Sequence, residues 1–280
     1  MQLLHRRGAA APILLGLGGL LGAFSAGCGS SSSSATAHIR GADLSVNGGT
    51  TGVLVNSTAV GGDLLFGQTS GFNYIGQGTS AFSFTTSAAP AGITISGTTT
   101  SIIPPSSKLQ LNNNGYYTAY LIGRADVAPL TSARADPRFL QTVVAGDKGA
   151  AANYQSSPTG AAAGAVYADP PSGQANIRIL NAAPDAGPVD VLIGGKPAFT
   201  GVTYPVLPLG LLTDQVAAGN PVTAYSALPS GTISVQVNAA GTATVLVPPT
   251  TLSIGSGQSY TVVVTEPAAT PTYSLATEAD

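Results

Sequence analysis

Side chains able to carry chemistry are scarce in this chain of 280 residues, which holds one cysteine, Cys28, and two histidines, His5 and His38. Zinc and iron sites, which favour cysteine and histidine ligands, would have to draw on those three groups. A Ser-His-Asp arrangement would have to use His38, yet the chain has no G-x-S-x-G elbow and no S-x-x-K run. The twelve acidic residues are scattered, with Asp185 and Asp190 close together on one motif. Asp43-Leu44-Ser45-Val46-Asn47-Gly48 matches the first half of a calcium loop, but its twelfth position is Leu54, where a bidentate Glu belongs, so a turn is expected there. These counts predict a protein that is not an enzyme and that has no cofactor and no metal.

Aromatic side chains offer the better candidate. In the run Tyr116 to Leu121, period-two alternation places Tyr117 on one face and Tyr116 with Tyr120 on the other. Two exposed tyrosines so spaced could stack on a sugar or anchor a protein partner. The alternative is that they pack under the interdomain linker or against a second domain. Asp185 and Asp190 read as turn and strand-edge residues, since Pro184 fixes one backbone angle and Gly187-Pro188 closes a turn.

The elements positioning these groups follow from composition. Only 8% of residues are charged, while Gly (36) and Pro (20) punctuate a chain rich in Thr and Val. That pattern predicts short strands joined by turns and excludes an all-helical fold. A net charge of -2 excludes a basic nucleic-acid binder.

The N-terminus has its own plan. Arg6 and Arg7 precede an uncharged apolar run from Ala9 to Phe24, shorter than the ~20 residues of a membrane-spanning helix and interrupted by Pro12 and four glycines. The run ends at small residues and then Cys28. Ser25-Ala26-Gly27-Cys28 resembles the lipobox of bacterial lipoproteins, with Ser25 where that family usually has Leu. The resemblance implies cleavage after residue 27, acylation of Cys28 and, with Gly29 following rather than Asp, residence at the outer membrane. Two or more acyl chains make a stable anchor. Residues 28–37 are Ser-rich and read as a tether. Without Arg6 and Arg7 the rest of the chain carries eight basic and twelve acidic side chains, a net of -4, which argues against charge-driven docking on anionic lipid.

The remainder is duplicated. At an offset of 138, Ala37-His38-Ile39-Arg40 lies on Ala175-Asn176-Ile177-Arg178, and Val53-Leu54-Val55 on Val191-Leu192-Ile193. After an insertion in the second copy, which includes Pro205 to Asn220, Phe72 meets Tyr225, Phe82 and Phe84 meet Val235 and Val237, and Tyr117 meets Tyr260. The expected architecture is all-β: two tandem Ig-like β-sandwich domains, 38–147 and 174–280, joined by a Gly/Ala/Pro-rich linker at 148–173.

The second copy opens Ile177-Arg178-Ile179-Leu180-Asn181-Ala182-Ala183-Pro184-Asp185-Ala186-Gly187-Pro188-Val189-Asp190-Val191. This resembles a bacterial envelope family, labelled a domain of unknown function, whose repeats begin V-R-x-x-N/H-A-S-P-D-A-P-x-V-D-V-Y. The resemblance covers about residues 175–267 and implies tandem Ig-like repeats on exported or lipidated proteins. The first copy is a degenerate relative. The expected function is a structural or protein-binding module at the cell envelope, partnered by the membrane through its lipid, with an envelope protein or a polysaccharide as the possible ligand.

Overall fold

A computed structural model describes residues 36–86, 101–103, 109–126, 138–147, 169–205, 222–267 and 272–280. The signal segment, Cys28, nearly all of the tether and the insertion, and most of the linker lie outside these residues. Every regular element described is a strand.

The first repeat comprises β1 (Thr36–Val46), β2 (Thr51–Val55), β3 (Thr58–Leu64), β4 (Asn73–Gly76), β5 (Gly78–Ser80), β6 (Phe82–Thr86), β7 (Ser101–Ile103), β8 (Leu109–Leu111), β9 (Tyr116–Arg124) and β10 (Gln141–Gly146). The second comprises β11 (Gln174–Asn181), β12 (Val189–Ile193), β13 (Lys196–Val202), β14 (Ser226–Pro229), β15 (Gly231–Ala239), β16 (Val245–Ile254), β17 (Ser259–Thr265) and β18 (Ser274–Ala279).

The two repeats have the same sheets in the same order. One sheet runs β10-β9-β1-β4 in the first and β18-β17-β11-β14 in the second; the other runs β3-β2-β6-β7 and β13-β12-β15-β16. In each, the opening strand pairs in parallel with a late strand, β1 with β9 and β11 with β17. The long β15–β16 hairpin is broken in the first repeat into β6–β7 and a two-stranded piece, β5–β8. Register agrees to the residue. Val53 faces Phe84 as Val191 faces Val237, and Leu54 and Leu192 sit at the same place in their sheets.

Alternation sorts the side chains. Ile39, Val53, Phe82, Phe84, Tyr117 and Leu121 fill one core; Ile177, Val191, Val235, Val237 and Val262 fill the other. Two phenylalanines replace two valines on the same inward face, a swap that the neighbouring packing must accommodate in volume. The equivalent tyrosine hydroxyls, of buried Tyr117 and partly buried Tyr260, are tied off alike: Asn112 N donates to Tyr117 Oη (2.8 Å), and Gly255 N donates to Tyr260 Oη (2.9 Å).

A third cluster belongs to neither sandwich. Ala42, Leu44, Tyr120, Ile122, Val143 and Ala145, all on the outward face of the β10-β9-β1-β4 sheet, pack against Leu180, Ala182, Tyr204, Val222 and Val263 of the second repeat. Residues from Ser34 to Asp280 therefore form one compact unit, with the two equivalent sheets face to face.

Candidate functional site

Between those sheets lies a buried charge cluster built twice over by the duplication. Arg40 of β1 and Arg178 of β11 point away from their own cores because each neighbour in sequence, Ile39 and Ile177, points in. Within its own repeat each guanidinium is tethered by a threonine: Arg40 Nε donates to Thr118 Oγ1 (2.8 Å), and Arg178 Nε donates to Thr261 Oγ1 (2.8 Å). Each also lies over an aromatic ring of its own repeat, Arg40 over Phe72 (4.8 Å) and Arg178 over Tyr225 (4.6 Å).

The carboxylates cross over. Arg178 pairs with Asp147, which follows the last strand of the first repeat, and donates to Gly146 O (2.6 Å); Arg40 pairs with Asp280, which follows the last strand of the second (3.3 Å). Each Asp also accepts from the threonine of its own repeat, Asp147 Oδ2 from Thr118 (2.7 Å) and Asp280 from Thr261 (2.9 Å). The exchange is reciprocal, as in an isologous dimer interface, although both partners are on one chain, and Arg178 also lies 3.4 Å from Asp280 of its own repeat. Tyr225 Oη donates to Asp280 (2.6 Å).

Burial dominates the electrostatics here. Desolvation, reinforced by the Asp280 carboxylate, pushes Asp147 up to about 6, against the opposing pull of Arg178 and Arg40. Desolvation also acts on Arg178, but the carboxylates of Asp280 and Asp147 outweigh it and hold the guanidinium firmly charged. The Tyr225 phenol is lifted above its ordinary range, first by burial.

A second polar cluster closes the other end of the interface. Arg124 of β9 donates to Asp126, to Asp185 (2.8 Å) and to Glu266 (3.0 Å), and Arg138 donates to Asp185 (2.8 Å). Gln141 Nε2 reaches Tyr204 Oη (2.9 Å) and Pro205 O (2.7 Å) of the second repeat.

These positions revise several expectations. Tyr117 does point inward, and Tyr116 and Tyr120 do share the opposite face. Tyr120, however, is 0% exposed and locked between the sheets, so it forms no surface pair with Tyr116. Its hydroxyl has no hydrogen-bond partner among the described residues, and burial followed by the Asp280 and Asp147 charges raises its pKa. Asp185 is not spent on its own turn; that role falls to Asn181, whose Oδ1 accepts from Ala183 N (3.2 Å), while Asp185 bridges the repeats. Asp190 is a strand-edge residue, accepting from Gly201 N (2.8 Å) and Gly241 N (2.9 Å), bonds that lower its pKa. Asp43, at the Asn181 position, accepts from Ser45 N (2.8 Å), Ser45 Oγ (2.6 Å) and Thr51 Oγ1 (3.1 Å); of the half-matched calcium loop, Asp43 to Val46 are the end of β1 and the turn expected there begins only at Asn47.

Tyr116 remains half-buried at the start of β9, beside the start of β1, in a cluster with His38, Tyr74 and Phe72. His38 is thus seated within a strand and stacked on a ring. Sequence reasoning missed the charge cluster, although it had a signal: an arginine inside an otherwise apolar strand, repeated at an offset of 138, with an aspartate after the last strand of each copy. No curated protein matches the chain. Residues 175–280, the whole of the second repeat from the first buried alanine of β11 to Asp280, match the family model described as a domain of unknown function (DUF4397).

Proposed function

We propose that the chain is a non-enzymatic lipoprotein of the cell envelope, held in the outer membrane by acylated Cys28 and acting there as a structural or protein-binding module. The observation that carries this reading is the reciprocal exchange of Arg178–Asp147 and Arg40–Asp280 across the repeats. Buried ion pairs contribute little net stability relative to apolar residues of the same volume, but they favour this alignment, because shifting the repeats would leave Arg40 and Asp147 without their ion-pair partners in a dry interface. Such a weld suits a rigid spacer or display platform. The lipobox-like run before Cys28 supports the anchor, and the second repeat's match to a family of unknown function is compatible with the role.

The test is fractionation and capture. The native chain should partition with outer membrane and Cys28→Ser should be released to the soluble fraction. Chemical cross-linking in intact envelopes should join the folded body to a discrete protein. Membrane retention of Cys28→Ser would refute the anchor, and turnover of an ester, glycoside or peptide by the purified chain would refute the non-enzymatic reading.

A further inference from the structure

Across β9, β1 and β4, at the end where β1 begins, three rings stand in one row on the sheet's outward face. The register sets Tyr116 beside His38 and His38 beside Tyr74. The His38 and Tyr116 rings are stacked, 4.0 Å apart and inclined by 6°. Tyr74 leans on His38 at 4.7 Å, and Phe72 closes the group edge-on to Tyr116 at 5.1 Å. Tyr74 is 71% exposed, an unusual position for a large aromatic ring in a chain with so few.

The duplication supplies an internal control. In the second repeat the same row is Ser259, Asn176 and Ala227, in the same register. The sheet therefore folds and packs without aromatics there, and their presence in the first repeat answers to something other than the fold. What distinguishes the first repeat is its place next to the N-terminal segment. Seven residues lie between Cys28 and Thr36, where β1 starts, so the two are eight steps apart along the chain. At ~3.5 Å per residue, a lipid on Cys28 lies no more than about 28 Å along the chain from the start of β1, two residues before His38. Apart from Asp147, whose carboxylate is turned into Arg178, the row holds no lysine, arginine or carboxylate.

We propose that the His38–Tyr74–Tyr116 row is a membrane-docking surface that rests in the headgroup layer of the bilayer holding Cys28. This rests on the reading of Cys28 as acylated. Tyrosine and histidine carry an apolar body and a polar tip, the chemistry that settles at a membrane–water boundary without net charge. The net of -4 on residues beyond the signal segment leaves no charge-driven route to the same end. Docking there fixes the orientation of the welded repeats on the bilayer.

Cys28 is the one thiol in the sequence, so residues 28–280 can be coupled through it to a maleimide lipid in phosphatidylcholine vesicles. With dibrominated acyl chains, part of the tyrosine emission should be quenched. Amide exchange at Asn73–Gly76 should slow by about tenfold relative to the uncoupled chain. Tyr74→Ala with Tyr116→Ser, which copies the second repeat, should abolish both effects at unchanged thermal stability. Absent quenching in the coupled chain, or quenching unaltered in the double variant, overturns the proposal. So does retention on purified peptidoglycan that depends on Tyr74 without any quenching, which would assign the row to a glycan. Mass spectrometry of the native chain separates the two readings. An unmodified Cys28 defeats the anchor and the docking together, whereas an acylated Cys28 without quenching defeats the docking alone.

Discussion

Tyr120 and Tyr117 sit three residues apart on one strand and spend their hydroxyls differently. Tyr117 Oη accepts from Asn112 N, whereas Tyr120 Oη is buried with no partner among the described residues. A buried polar group left unsatisfied costs about 1–3 kcal/mol, and one that is bonded contributes about 1 kcal/mol. Tyr120→Phe should therefore raise stability, and Tyr117→Phe should lower it by about 1 kcal/mol. Urea midpoints at constant m-value measure both. Asp147 makes a pH-dependent statement from the same interface. Its folded pKa of about 6 lies above its ordinary 3.8, so the folded state binds the proton more tightly than the unfolded chain. Its contribution to stability is fully present below pH 3.8 and is lost as pH rises through about 6. Wild type should thus lose stability relative to Asp147→Asn across that window, as read by parallel urea titrations. A difference that stays constant from pH 4 to pH 7 would show that Asp147 is not held in a dry site.

At the level of strands, β9 turns into the loop before β10 through Gly123, whose φ of 98° is one that L side chains rarely adopt. A Cβ there would stand 2.4 Å from Phe139 O and 2.8 Å from Arg138 O. Gly123→Ala should cost roughly 1–3 kcal/mol by strain and overpacking, and amide exchange in β10 should rise first. Gly62→Ala, with nothing within 4 Å of the added methyl, should be neutral within about 0.5 kcal/mol. Strand character and the correspondence between the two copies were legible in the sequence because side-chain period is local: Phe82 with Phe84 against Val235 with Val237 could be aligned by alternation, whereas the parallel pairing of β1 with β9 and of β11 with β17 could not. The same alternation assigned Tyr120 to the right face. It could not say what covers that face, since the covering residues Leu180 and Val263 are 60 and 143 positions away and their only imprint is apolar character in a place where solvent was expected. The role of Asp185 was hidden for the same reason, because a turn explains Pro184-Asp185-Ala186-Gly187 without any partner, and Arg124 and Arg138 enter only through tertiary structure.

The whole molecule depends on how strongly the interface couples the two sandwiches. Each has a separate core, so each could in principle unfold alone. Against that, opening the interface parts Arg40 from Asp280 and Asp147 from Arg178, leaving Arg178 and Asp280 only each other, and exposes the apolar cluster around Tyr120. Removing one member of a buried pair costs about 3–5 kcal/mol, because the remaining charge stays desolvated. Wild type should accordingly unfold in one step, with exchange in β6 and in β15 reporting the same urea midpoint. Arg40→Met with Arg178→Met leaves Asp147 and Asp280 unpaired across the interface, and the two strands should then report separate midpoints, that of the wild-type pair having split. Adding Asp147→Leu and Asp280→Leu converts the cluster to an apolar one of similar volume and should bring the midpoints back together. If β6 and β15 report different midpoints already in wild type, the repeats are not welded, and neither a rigid spacer nor a single fixed orientation on the membrane would follow from the buried pairs.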